Sequence, residues 1–157
     1  MEISRLEMKT MGTTKKNYFL IKSMDERLRL HLELRNKGYG RLIIETGLGI
    51  DLMGANADVA VKRAIEDIIH RVCIPAPDEL GIHDLKDSII IIDIGIPVPS
   101  ELSAKDIWDA LPVKPKELYI HVSKGGLETI GYKDCKILIA IVAIHIYLPT
   151  EDKKTDN

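Results

Sequence analysis

The residues best suited to chemistry lie in segment 45–54, where two carboxylates and a threonine stand among three glycines. These are Glu45, Thr46, Gly47, Gly49, Asp51 and Gly54. A glycine-rich turn leaves backbone amides open, and the N-terminus of a following helix favours an anion or a carbonyl oxygen. We therefore expect Glu45 and Asp51 to act as general acid or base and the others to bind a ligand. Alternatively, the glycines only permit positive φ in a tight connection.

Nucleotide motifs do not explain this segment. A phosphate-binding loop would continue with Gly-Lys-Ser/Thr, which is missing, and a dinucleotide fingerprint would have a third glycine where Leu52 stands. No cofactor is predicted.

A second candidate site is the run from His121 to Gly126, in which a serine and a lysine precede a Gly-Gly turn. Ser123 and Lys124 suggest nucleophilic chemistry, with Gly125 and Gly126 binding the ligand. Neighbouring residues of a strand point to opposite faces, so these two side chains cannot readily pair with each other. We expect one of them to act from a neighbouring chain; the alternative is a hairpin turn with a solvated lysine.

Asp93 interrupts a run of isoleucines and is the third candidate. A carboxylate in an apolar strand needs a partner, which predicts that it faces a pocket or a subunit interface. His121 and His145 fall on strands that could bring them together. The histidines have no HxH or HExxH spacing and no carboxylate cluster beside them, so no metal site is predicted.

These residues are positioned by elements in the order β-β-α-β-α-β-β. Four leucines alternate between residues 27 and 35, which predicts a strand that forms a hairpin with residues 41–46. A helix is predicted around residues 61–72, where apolar residues recur at helical spacing, and a second short helix follows Ser103. Further strands are predicted at 87–98, 117–123 and 136–148, and a short edge strand at 17–24. The pattern indicates an α/β fold of α+β type, with a mixed sheet and helices packed on one face.

The composition narrows the function. The formal charge of −2 and an aromatic content of 4% argue against nucleic acid as a partner. No apolar stretch approaches the ~20 residues of a membrane-spanning helix, and no signal peptide is visible, so we expect a cytoplasmic protein. One α/β domain is predicted at 17–149, between a flexible terminus at 1–16 and a disordered tail at 150–157.

The run from Arg41 to Gly54, the helix with Lys62-Arg63-Ala64, the Ile94-Gly-Ile-Pro-Val-Pro segment and the Gly125-Gly126 turn resemble a family of small conserved hypothetical proteins. The resemblance covers residues 41–148 and implies that the first 40 residues are an addition. More distantly, the order is similar to one repeat of the ring-opening amidohydrolases, cyanuric acid hydrolase and barbiturase. That similarity implies a homotrimer, or a multiple of it, with ligand sites at subunit boundaries.

These observations predict a protein that binds a small molecule, with hydrolysis of a compact polar or cyclic amide as the reaction at a subunit-interface pocket. The alternative is a non-catalytic oligomeric scaffold or regulatory protein.

Overall fold

A mixed sheet forms the centre of the protein. The computed structural model describes residues 17–72, 85–99 and 102–150. Within these ranges the strands are β1 (Tyr18–Ile21), β2 (Tyr39–Asp51), β3 (Ile89–Ile96), β4 (Glu117–Lys124), β5 (Leu127–Ile130) and β6 (Lys136–Pro149). The order is β1-β4-β3-β6-β2, and β5 also pairs with β6. β4 runs parallel to β1 and β3, whereas β6 is antiparallel to β2, β3 and β5. The predicted mixed-sheet α+β class is confirmed.

Helices cover both faces of this sheet. In the described ranges they are α1 (Met24–Asn36), α2 (Ala57–Arg71) and α3 (Ala104–Ala110). α2 and α3 enclose the larger core with Ile90, Ile92, Ile94 and Ile96 of β3. α1 instead packs on the opposite face, against the alternate side chains of β3 and β6. The prediction that all helices share one face is therefore wrong for α1, and the order of elements becomes β-α-β-α-β-α-β-β-β.

The predicted strand at residues 27–35 is wrong, because this segment belongs to α1. The four alternating leucines form two pairs of residues four apart, Leu28 with Leu32 and Leu30 with Leu34. Residues four apart lie on the same side of a helix, so a helix places the two pairs on different sides. Leu30 and Leu34 are buried, whereas Leu28 and Leu32 are exposed. Ser23 begins the helix by accepting a hydrogen bond from Glu26 N at 3.2 Å. That N-cap, with two acidic residues in the first turn, is the signal for a helix that the alternation concealed.

The predicted glycine-rich turn is also wrong over most of its length, because residues 45–51 continue β2. Gly47 and Gly49 lie on the face that α2 covers. A Cβ on Gly49 would come within 1.8 Å of Ala60 O, and one on Gly47 within 2.5 Å of Ala64 O. These glycines therefore allow the helix backbone to lie directly on the strand. The connection to α2 is confined to residues 52–56, where the Asn56 side chain caps α2 by accepting from Val59 N.

Side chains of α2 bond the free edge of β2, which has no partner strand in the described residues. Arg63 donates to Ile50 O at 2.6 Å, Asp67 accepts from Leu48 N at 3.2 Å, and Arg71 donates to Thr46 O. Unpaired edge groups invite pairing with another chain, so these three residues, spaced by four along α2, protect the edge.

The other predicted elements are confirmed. α2 buries Val61, Ala64, Ile65 and Ile68, α3 is capped by Ser103, and β3 is the central strand. Thr150, the first residue of the predicted tail, is hydrogen-bonded to Gly38 O. The predicted terminus at 1–16 and the rest of the predicted tail lie outside the described residues. Among those described, no helix is long and apolar enough to cross a membrane.

Candidate functional site

Asp93 lies at the middle of the central strand, on the sheet face that α1 partly covers. The isoleucines on either side of Asp93 point into the larger core, so the alternation of the strand turns its carboxylate to the opposite face. On β4 its register partner is His121. On β6 its register partner is Ala143, and His145 lies two residues further along that strand. Arg27 reaches the same point from α1. Three elements and the central strand therefore place these four side chains together.

The carboxylate of Asp93 is hydrogen-bonded on both oxygens. Arg27 Nε donates to Oδ1 at 2.9 Å and to Oδ2 at 3.2 Å, and its NH2 group donates to Oδ2 at 3.1 Å. His121 Nδ1 lies 3.1 Å from Oδ1, and His145 Nε2 lies 2.9 Å from Oδ2. The side chain of Asp93 is 28% exposed and that of Arg27 is 10% exposed. This is a largely desolvated network with one guanidinium, one carboxylate and two imidazoles.

The network keeps Asp93 ionised. Burial acts to raise the pKa of Asp93, but hydrogen bonds from His145 and Arg27, the charge of Arg27 and the hydrogen bond from His121 outweigh it. The pKa of Asp93 is therefore held well below its usual range. A carboxylate that stays ionised is a fixed acceptor, and it orients the imidazoles on either side of it.

The two histidines are bound to Asp93 through different nitrogens. His121 uses Nδ1, and its Nε2 has no hydrogen-bond partner among the described residues. His145 uses Nε2, and its Nδ1 is buried without a partner there. Ser88 Oγ and His145 Nδ1 are the fully buried side-chain atoms without a partner in the described ranges. His121 Nε2 is not one of them, and His121 lines the cavity described next.

An open cavity of about 490 Å³ lies above this network. It is lined by Asp93 and His121, which we call its floor, and by Ser123 with the Gly125-Gly126 turn. Arg27 and His31 of α1 form one wall, and Arg41 of β2 also lines it. Volumes of 300 to 1,000 Å³ are typical of sites for small molecules.

The structure brings together only some of the predicted site residues. Asp93, Ser123, Gly125 and Gly126 all line the cavity. Lys124 is exposed and, as predicted, points away from Ser123 across the strand. The remaining predicted residues, which the cavity does not include, are Glu45, Thr46, Gly47, Gly49, Asp51 and Gly54.

The contacts of Asp51 stabilise the connection between β2 and α2. Its carboxylate accepts from Asn56 N at 2.8 Å and lies 3.6 Å from Arg63, so it holds the connection that begins α2. Gly47 and Gly49 are packed against α2 and have no open amide surface for a ligand. The structure therefore offers a second candidate site, the cavity over Asp93, and the roles predicted for segment 45–54 stay predictions.

Sequence reasoning missed Arg27, His31 and Arg41 as members of the site. The predicted strand at residues 27–35 gave no indication that Arg27 and His31 lie near Asp93. On α1 they are separated by one turn and both line the cavity. The N-cap at Ser23 was the one signal from which this placement could have been found.

Among the residues that the structure describes, no group of three or more His, Cys, Asp or Glu side chains is arranged to hold a metal ion. The nitrogens of His121 and His145 that approach Asp93 are bonded to its oxygens directly.

Fold and site together define a small α+β protein with a cavity over the central strand of a mixed sheet, lined by apolar residues and by a cluster of charged and polar side chains. Residues 41–146 match the model of a family described as a conserved hypothetical protein, Lin0512_fam, and the chain belongs to this family. Asp93, His121 and His145 lie inside the matched region, whereas Arg27 and His31 precede it.

A solved structure is similar to this one. It is a crystal structure of an FtsZ-like protein of unknown function from Nostoc punctiforme PCC 73102, with a TM-score of 0.63 and 26% sequence identity. The similarity covers 73% of this chain and 99% of that one. Comparison with curated proteins gives no match. Neither the family nor the solved structure is described as a ring-opening amidohydrolase, so that more distant resemblance stays a prediction.

Proposed function

We propose that this protein binds a compact polar molecule in the cavity above Asp93 and hydrolyses an amide bond there, a cyclic amide being the predicted substrate class. The observation that carries the proposal is the Asp93–His121 pair at the cavity floor. A carboxylate bonded to His Nδ1 fixes the orientation of the ring and leaves Nε2 for proton transfer.

His121 is the general base in this scheme. Its Nε2 takes a proton from a water molecule that attacks the amide carbonyl, and the same nitrogen returns the proton to the leaving nitrogen. Asp93 stabilises the imidazolium that forms between these steps. Ser123 lies two residues further along the same face of β4, so its hydroxyl can bind the substrate at the cavity wall.

The substitution His121→Gln tests this role. With succinimide, hydantoin and dihydrouracil as substrates, we expect ring opening by the wild-type protein and a loss of at least about 100-fold in kcat/KM for the variant. His70→Gln is the matched control, because His70 is exposed on α2, outside the cavity. Equal rates for the wild type and His121→Gln, or no ring opening of any of the three substrates, would contradict the proposal.

An oligomeric scaffold is the second candidate function, and exposed apolar side chains favour it. Leu48 and Ile50 of β2 and Ile141 of β6 are 57%, 42% and 48% exposed on the sheet face that α1 leaves open. The exposed Leu28 of α1 lines the same cavity as Ile141. Contiguous apolar surface of this kind is typical of an interface, and homo-oligomers are its commonest origin.

Sedimentation velocity distinguishes this candidate. A scaffold of identical chains predicts an oligomer, with the trimer or a multiple of it as the expected state. Leu48→Glu together with Ile50→Glu would then give monomers, while Leu20→Glu, at an exposed site on β1, would not. A monomeric wild-type protein at micromolar concentration would exclude this role.

A further inference from the structure

Arg41 reaches the cavity because of an irregularity in β2. The pairing of β2 with β6 is regular from Ile43 to Asp51, but its register shifts between Arg41 and Ile43. In a regular strand, residues 41 and 43 would point to the same face. Ile43 instead pairs with Ile146, whose side chain packs on the larger core, whereas Arg41 pairs with Tyr147 of the α1 side. The bulge therefore turns the guanidinium toward the cavity, and bulges are over-represented next to active sites for this reason.

This guanidinium has no counter-ion in the described part of the chain. Arg27, the other arginine of the cavity, is neutralised by Asp93. No hydrogen bond or ion pair joins Arg41 to another described residue, although it lines the same cavity. Asp93 is paired to Arg27, so the exposed Arg41 is an arginine of the cavity that no described carboxylate neutralises, in a protein whose formal net charge is −2.

Burial, together with the positive charges of the cavity, affects the pKa of His31. Burial and the charges of Arg41, Arg27 and Arg35, together with His145, lower the pKa of His31. Its Nδ1 is hydrogen-bonded to Tyr147 Oη at 2.7 Å. A neutral imidazole next to Arg41 adds no second charge, so the guanidinium is the group that would select a ligand by charge.

We propose that the ligand of this cavity carries a carboxylate, which Arg41 binds, an inference that rests on the proposed function of the cavity. The uncharged polar end of the ligand then lies above Asp93 and His121. The planar guanidinium matches a carboxylate through two parallel hydrogen bonds. A second anionic group at the floor would meet the ionised Asp93. The preferred ligand class is therefore a compact monocarboxylate with an amide or similar polar group a few atoms away.

Three probes of nearly equal shape test the charge requirement: succinamide, succinamate and succinate, which carry zero, one and two carboxylates. Binding is followed by amide and imidazole NMR shifts of the full chain at millimolar probe concentrations. We expect succinamate to bind at least about 10-fold more tightly than succinamide, and Arg41→Gln to remove that difference. Succinamate also neutralises the charge of Arg41, so the pKa of His31 rises when it binds. Arg29→Gln is the matched control, because Arg29 is exposed on α1 away from the cavity.

The outcomes separate this inference from the proposed function. If succinamide binds as tightly as succinamate and still shifts the resonances of His121, the cavity is a ligand site but the carboxylate requirement is wrong. If Arg41→Gln and Arg29→Gln bind succinamate equally, Arg41 is not the anchor. If no probe shifts the resonances of His121 or His31, the cavity is not the site and both proposals fail.

Discussion

Asp93 connects the stability of the protein to its candidate chemistry. Its carboxylate accepts from Arg27, His121 and His145, and these donors come from three different elements. Burying a carboxylate and a guanidinium is costly, and the cost is offset only while both remain and are hydrogen-bonded. The carboxylate that holds α1 on the sheet through Arg27 therefore also orients the imidazole of His121.

Removing this charge is expected to destabilise the fold. Asp93→Asn keeps the shape of the side chain but leaves the buried Arg27 without a counter-ion, which costs about 3 kcal/mol in the free energy of unfolding at pH 7. Urea unfolding measures the change. Asp109→Asn, which breaks the exposed pair with Lys105, is the control and should leave the urea midpoint unchanged. A similar, small effect of both substitutions would show that the network does not stabilise the protein.

The effect of Asp93→Asn is also expected to depend on pH. Because the folded-state pKa of Asp93 lies below its unfolded value of about 4, its stabilisation is present above that pH and is lost as the pH falls toward the folded value. The difference between wild type and variant should shrink between about pH 5 and pH 2. Urea midpoints over this range check the sign, and a difference that grows on acidification would contradict it.

At the scale of elements, the two long helices are held to the sheet in different ways. α2 lies close to β2, because Gly47 and Gly49 leave room for its backbone and its side chains bond the strand edge. α1 has the smaller apolar contact, through Leu30 and Leu34, and adds the polar contact of Arg27.

The close approach of α2 predicts a large effect of one methyl group. In Gly49→Ala the new Cβ would meet the backbone of Ala60 and Ala64, which cannot yield as a side chain can, so we expect a loss of about 3 kcal/mol or more. Gly95→Ala is a matched control in a strand, since its Cβ would meet no atom closer than 3.5 Å. Thermal unfolding of both variants decides the matter; equal melting temperatures would show that Gly49 is not needed for packing.

The helical structure of α1 predicts that alanine substitutions at two leucines, which a strand would place on the same face, differ in their cost to the free energy of unfolding. Leu34→Ala removes a buried side chain and should cost about 2–4 kcal/mol, whereas Leu32→Ala removes an exposed one and should cost much less. Unfolding in urea compares the two. Equal costs would favour the alternating strand over the helix.

At the scale of the whole molecule, elements with a single dominant pattern could be predicted from the sequence. α2 has one apolar stripe at helical spacing, and β3 is an apolar run of strand length, so both were found. The spacing of the leucines in α1 fits both a strand and a helix. The glycines of β2 were read as a turn because glycine serves tight turns and close helix packing equally well.

Part of the candidate site could be predicted from local sequence: Ser123, Gly125 and Gly126 from the run that precedes and forms the Gly-Gly turn, and Asp93 from its surroundings. Asp93 is polar within an isoleucine strand, and for that reason it was predicted to face a pocket. The position of Arg41 depends on a bulge, and those of Arg27 and His31 on the packing of α1. These are consequences of tertiary structure, which local spacing does not encode.

The central claim is that the cavity above Asp93 is the ligand site of this protein. A crystal structure of the full chain soaked with succinamate tests it most directly. We predict that the carboxylate of succinamate lies against the guanidinium of Arg41, with its amide facing His121 and with Asp93 still bonded to both imidazoles. Succinamate bound only outside this cavity, or an Asp93 side chain that contacts neither His121 nor His145, would contradict the account.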